Sequence, residues 1–274
     1  MTEFQTAIDH VHATLSDLRE QGVELRASAD ALARLAETPT RSAAPAPGPA
    51  SVVETRPPSP KPAAPAGSKA ALLDALRGPV LACMKCAHLA KSRTQVVFGV
   101  GNPDAQVLFV GEAPGEDEDL QGEPFVGKAG QLLTKIIEAM GFTRGDIYIG
   151  NVLKCRPDMP DGESGNRKPK PSEMETCLPY LREQIDLIQP RVLVALGATA
   201  MQGLLNETAS MASLRGRWHE FQGIPLMATY HPAYLLRNQS MSEKRKVWED
   251  MLQVLERLGK PISAKQRNFF LQKA

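Results

Sequence analysis

Apolar residues recur along this chain in two distinct rhythms. Four short runs are almost continuously apolar: Val107–Val110, Ile147–Gly150, Val192–Leu196 and Ile224–Thr229. Runs of that length predict strands buried on both faces. Between them lie stripes with helical spacing. Leu132, Leu133, Ile136, Ile137 and Met140 form one, stopped at Gly141. Leu178, Leu181, Ile185 and Ile188 form a second, opened by Pro171 and a capping-box pattern over Ser172–Glu175. Val247, Trp248, Met251, Leu252, Leu255 and Leu258 form a third, closed by Gly259 and Pro261. Strands alternating with helices predict an α/β fold whose parallel sheet is covered on both faces. Ligands in such folds bind beyond the carboxyl ends of the strands. The loops beginning at Gly111, Asn151, Gly197 and Tyr230 are therefore the places to look for chemistry.

The first quarter of the chain follows another pattern. Phe4, Ile8, Val11, Leu15 and Leu18, continued by Leu25 and Leu32, predict an amphipathic helix within residues 1–37. Residues 38–69 are mostly Ala, Pro, Ser and Gly, a composition that cannot offset its ordering entropy by burial and reads as a disordered linker. A helix separated in this way suits self-association or recruitment of a protein partner. The compact domain is expected over residues 70–260, with a tail over 261–274.

The 274 residues carry 32 basic and 31 acidic side chains, a net charge of +1. Near-balance removes any general argument for a polyanion-binding surface, so nucleic-acid binding would require a local positive field. The sequence has neither a signal-peptide pattern at its start nor an apolar run of about 18 residues. A soluble, cytoplasmic protein without a membrane association is expected.

All four cysteines fall in the compact domain. Cys83 and Cys86 form a C-x-x-C pair before the first strand, Cys155 follows the second strand, and Cys177 lies early in the second helix. In a reducing compartment, four thiols that converge at one edge point to a metal rather than to disulfides. Four thiolates suit zinc or an iron–sulfur cluster, and the spacing does not separate the two.

Residues 111–133, "GEAPGEDEDLQGEPFVGKAGQLL", read as a long, rigid, glycine-rich loop. Gly122–Lys128 matches the G-x-x-x-x-G-K spacing of a phosphate loop. Ala129 follows it, however, where the motif needs a hydroxyl to hold magnesium. What remains is Phe125, held at a loop surface as a stacking platform, among the carboxylates Glu112, Glu116, Asp117, Glu118 and Asp119. Asn151 ends a buried strand with a side-chain donor and acceptor. His231 stands just beyond the fourth strand.

Together, "GEAPGEDED", "GEPFVGKAGQLL", "NVLKCRP…NR", "LGATA", "HPAYLLR" and the four cysteines resemble the family 4 uracil-DNA glycosylases, the iron–sulfur class of their superfamily. The resemblance runs from about Cys83 to Leu258. It implies a three-layer α/β/α sandwich around a short parallel sheet. It also implies a monofunctional glycosylase that hydrolyses the N-glycosidic bond of deoxyuridine in DNA, releases uracil and initiates base excision repair. Cys83, Cys86, Cys155 and Cys177 would hold a 4Fe–4S cluster. Phe125 would stack the base, Asn151 would read its edge and His231 would donate to O2. Where another branch of the superfamily has a water-activating aspartate, this chain has Ala113, which leaves Glu112 as the catalytic carboxylate. Glu118 would shape the pocket against thymine's methyl group. Phosphate contacts are expected from Lys154, Arg156, Arg217 and Arg237, with Arg167, Lys168, Lys170 and Arg215 as further candidates. A superfamily branch that traps uracil-DNA covalently uses a histidine after the third cysteine, and residues 156–171 contain none. A further alternative is an interaction module for a polymerase or repair assembly.

Overall fold

In a computed structural model of the chain, residues 67–271 are described here, except for 161 and 164. The helix and linker expected before residue 67 lie outside the described residues. Six strands form one sheet: β1 (Val100–Gly101), β2 (Val107–Gly111), β3 (Tyr148–Asn151), β4 (Val192–Leu196), β5 (Trp218–Phe221) and β6 (Ile224–Thr229). Their spatial order is β1-β3-β2-β4-β6-β5. The central four are parallel, whereas β1 and β5 pair antiparallel at the two edges.

The central strands match the four apolar runs, and their side chains divide between two cores. Leu108, Val110, Leu193, Ala195, Leu226 and Ala228 face one layer of helices. Val107, Phe109, Val192, Val194 and Met227 face the other. Period-two alternation between two covered faces explains why these strands read as unbroken apolar runs. The first layer contains α1 (Lys69–Leu81), α5 (Pro171–Ile188) and α6 (Ala198–Leu205). The second contains α4 (Lys128–Ala139) and α9 (Met241–Arg257). The architecture is a three-layer α/β/α sandwich.

Four features depart from the sequence reading. The edge strands β1 and β5 lack the long apolar run of a buried strand, because their side chains are only partly covered. The 111–133 segment is not wholly loop: α3 (Glu116–Gln121) forms within it. Its four acidic residues occupy the first turn, where the helix dipole favours them, and Gly122 stops it at φ 77°. Helix α5 is capped at Lys170, two residues earlier than the Ser172 pattern suggests. The Glu173 carboxylate accepts from the Lys170 backbone N–H at 2.7 Å.

The C-terminal segment is part of the fold rather than a tail. Its short helix α10 (Ala264–Arg267) is capped by Ser263. The Trp248 indole N–H donates to the Gln266 carbonyl at 2.6 Å, and Phe269 packs edge-on against the same indole. Among the described residues, no helix is long and apolar enough to cross a membrane.

Candidate active site

The parallel strands end side by side, and this assembles the site. Gly111 at the end of β2 is in register with Asn151 at the end of β3, and Leu196 of β4 with Thr229 of β6. The residues just beyond them, Glu112, Gly197 and His231, therefore emerge on one edge. A cavity of about 380 Å³ opens there, lined by Glu112, Phe125, Asn151 and His231 with Asn166 and Arg237.

Close approach at the cavity floor explains two glycines. A Cβ at Gly111 would overlap Asn151 Oδ1 and stand 2.6 Å from the Phe125 ring. A Cβ at Gly197, whose φ is +93°, would meet His231 Cβ at 3.0 Å. Phe125 and His231 rings lie 5.5 Å apart between centroids, tilted by 32°. Asn151 is only 2% exposed, and its Oδ1 is buried with no hydrogen-bond partner among the described residues. An orphaned buried acceptor costs on the order of 1–3 kcal/mol, so this carbonyl awaits a donor.

His231 caps α8 (Pro232–Arg237), its Nδ1 accepting from the Ala233 N–H at 3.2 Å. A donor aimed at Nδ1 leaves the ring proton on Nε2. Burial, aided by Arg237, lowers the His231 pKa to about 4, so the ring is neutral at physiological pH. Burial raises the Glu112 pKa, opposed by a hydrogen bond from Thr199 and the charge of Lys168. Thr199 lies at the start of α6, in the "LGATA" stretch.

Glu118 serves the loop instead of pointing freely at a ligand. One carboxylate oxygen accepts from the Val126 and Gly127 N–H groups at 3.0 and 3.1 Å, and the other from Gly115 at 3.0 Å. Ala113 is half-buried at the cavity wall. Asp119, expected among the loop acids, is buried and accepts from the Thr94 N–H at 2.9 Å.

The cationic candidates separate sharply. Lys154 is 1% exposed, and its ammonium donates to Gln184 Oε1 at 2.5 Å inside the core, so it does not reach a phosphate. Burial lowers its pKa to about 8. Arg156 is largely covered and holds its own loop through the Gly165 carbonyl at 2.9 Å. Arg215 pairs with the fully buried Asp250 at 2.6 Å. Asp250 also receives the Thr229 hydroxyl at 2.7 Å, which anchors the end of β6 beneath His231. Arg167 binds Asp158 and Glu173. Lys168, Arg217 and Arg237 are exposed, and of these Lys168 and Arg237 border the cavity.

The four cysteines lie near enough for their charges to interact, although among the described residues no three of their sulfurs come within 4.8 Å of one another. Cys83 follows α1, Cys86 precedes α2 (Ala87–Ser92), and Cys155 and Cys177 are buried. Burial and the neighbouring thiols raise the pKa values of Cys86, Cys155 and Cys177, the last to about 11. The Lys154 backbone N–H donates to Cys177 Sγ at 3.2 Å, and Arg93 donates to Cys155 Sγ at 3.1 Å. Another set of ligand-type atoms, His88, Asp158 and Glu173, clusters within 4.8 Å. Arg167 already satisfies both of its carboxylates, making it an ion-pair network.

Residues 98–252 match the model of the uracil DNA glycosylase superfamily. The type-4 uracil-DNA glycosylase of Archaeoglobus fulgidus is 43% identical over 63% of this chain and 87% of its own length. The chain belongs to the type-4 uracil-DNA glycosylases. That of Thermotoga maritima is also 43% identical, over 66% of this chain and 91% of its own length. The type-5 uracil-DNA glycosylase of Thermus thermophilus stands farther off, 28% identical over 64% and 91%. Membership in the type-4 family supports a base-excision-repair glycosylase activity, and the cavity at the strand ends is where the family match and the unusual chemistry coincide.

Proposed function

We propose that this chain hydrolyses the N-glycosidic bond of deoxyuridine in DNA, releasing uracil and leaving an abasic site. The observation that carries this reading is the buried, unpartnered Oδ1 of Asn151. The uracil edge supplies the missing N3–H donor and, at O4, an acceptor for the Asn151 amide N–H. Cytosine reverses both, leaving two buried groups unpaired.

The remaining roles follow from position. Extruding the base from duplex DNA costs a few kcal/mol, and stacking on Phe125 returns about 1–3 kcal/mol. Cleavage leaves negative charge on the base and positive charge on the sugar. His231, neutral with its proton on Nε2, donates to uracil O2 and stabilises the first charge. Glu112, in its carboxylate form, faces the second. Ala113 leaves room at the wall, and Glu118 keeps the loop in shape around the base. Exposed Lys168, Arg217 and Arg237 would contact phosphates.

The donor set of Cys83, Cys86, Cys155 and Cys177 fits a 4Fe–4S cluster. Cys86, Cys155 and Cys177 resist ionising without a cation, and two of them receive N–H···S bonds of the kind that tune such clusters. When bound, a cluster there supplies a cross-link between the α1–α2 connection, the β3–α5 loop and α5. Cys177→Ser should lose iron and the visible absorbance of the purified protein; full retention of both would remove Cys177 from the ligand set.

The deciding experiment is cleavage of an oligonucleotide with a single uracil, followed by alkali. Multiple turnover on uracil and none on a thymine control is expected. A stable complex without cleavage, from protein carrying iron, would make the chain a uracil-DNA binder instead.

A further inference from the structure

Phe125 adopts φ 56°, in the left-handed region that a bulky aromatic residue avoids. Such a backbone persists only where surrounding groups over-determine it. Here they do, from two different elements. On one side, Glu118 of α3 accepts from the Val126 and Gly127 N–H groups. On the other, Arg144 of the α4–β3 connection donates to the Pro124 carbonyl at 2.9 Å and the Phe125 carbonyl at 3.3 Å. The peptide joining Phe125 to Val126 is thus held at both ends, its oxygen by a guanidinium and its N–H by a carboxylate. The same guanidinium reaches Thr134 Oγ1 of α4 at 3.3 Å, and Gly130 lets that helix approach the Phe125 carbonyl with no room for a Cβ.

We propose that Arg144 and Glu118 are positioning residues for base recognition, bracing the Phe125 ring at the angle needed to receive an extruded base. The inference rests on the stacking role given to Phe125 above. Arg144 is not among the residues that line the cavity, so it acts on a base there through the platform. A preformed platform lowers the ordering cost at the moment the base arrives, because the ring need not be captured from alternative conformers.

A double-mutant cycle tests this by single-turnover cleavage of uracil-DNA and by inhibition with free uracil. Arg144→Gln should slow cleavage roughly ten- to hundredfold and weaken uracil inhibition in parallel. Arg144→Lys, which keeps one donor, should recover part of both and guards against a misfolded glutamine variant. In a Phe125→Ala background, Arg144→Gln should cost nothing further. An equal additional loss in that background would overturn the brace, as would an Arg144→Gln variant with wild-type rates beside an impaired Phe125→Ala. A fully active Phe125→Ala would overturn the stacking role itself, and the brace with it.

Discussion

Asn151 and His231 owe their suitability to what the backbone leaves them without. The Asn151 side-chain carbonyl ends a buried strand with no donor in reach among the described residues, and the His231 Nδ1 is occupied by a helix N-terminus, which leaves its one proton on Nε2. Asn151→Ala should lower single-turnover cleavage of uracil-DNA by about ten- to a hundredfold, the equivalent of about 1–3 kcal/mol of lost hydrogen bonding. The pH dependence should belong to Glu112. Its pKa is raised by burial, so the carboxylate protonates, and activity falls, at a higher pH than an ordinary glutamate would give. His231, with a pKa of about 4, stays neutral across that fall and adds no second step above it. A pH–rate profile of wild type and Glu112→Gln checks this: the acid limb should vanish with the variant's residual rate. The residue types were legible in the sequence, since each directly follows or ends an apolar run. Arg144 was not, because an arginine in a connection gives no sign that two distant carbonyls will find it.

At the scale of elements, the parallel strands do the assembling. Register aligns Gly111 with Asn151, and the absence of a side chain at Gly111 lets the Phe125 ring and the Asn151 amide approach the same point. Gly111→Ala should therefore displace both, lowering activity severely at a stability cost of about 1–3 kcal/mol typical of overpacking. Cleavage assays beside thermal unfolding separate the two effects. The four central strands and three main helices stood within a few residues of their sequence-based positions, since each is long, periodic and buried. In the sequence helix α3 reads as loop, because its acidic residues signal a solvated surface as readily as a helix N-terminus, and only Asp119's burial decides.

Across the whole molecule, contacts between distant segments fix what composition leaves open. The C-terminal segment closes over Trp248, and Gln266 also donates to the Ala139 carbonyl at the end of α4 at 2.9 Å. Deleting residues 263–274 should cost about 2–4 kcal/mol, from one buried aromatic contact and the lost hydrogen bonds. That corresponds to a fall of roughly 5–15 °C in Tm by calorimetry. With a near-neutral total charge, nucleic-acid binding demands a local positive field, and the sequence does not sort its cations. Lys154 and Arg215 turned inward to buried partners, and Arg156 holds its own loop.

By itself, the sequence determined the α/β class, and it pointed to the strand ends as the place of a candidate site and to Phe125, Asn151 and His231 as its candidate chemistry. Those follow from short-range periodicity and from motifs whose residues sit close together in the chain. Only the tertiary structure decided which lysines and arginines remain at the surface, that Glu118 is spent on backbone N–H groups, and that Arg144 reaches across to Phe125. Each of these depends on pairs brought together by packing, and no local pattern in a single chain encodes which partner a charged side chain will meet.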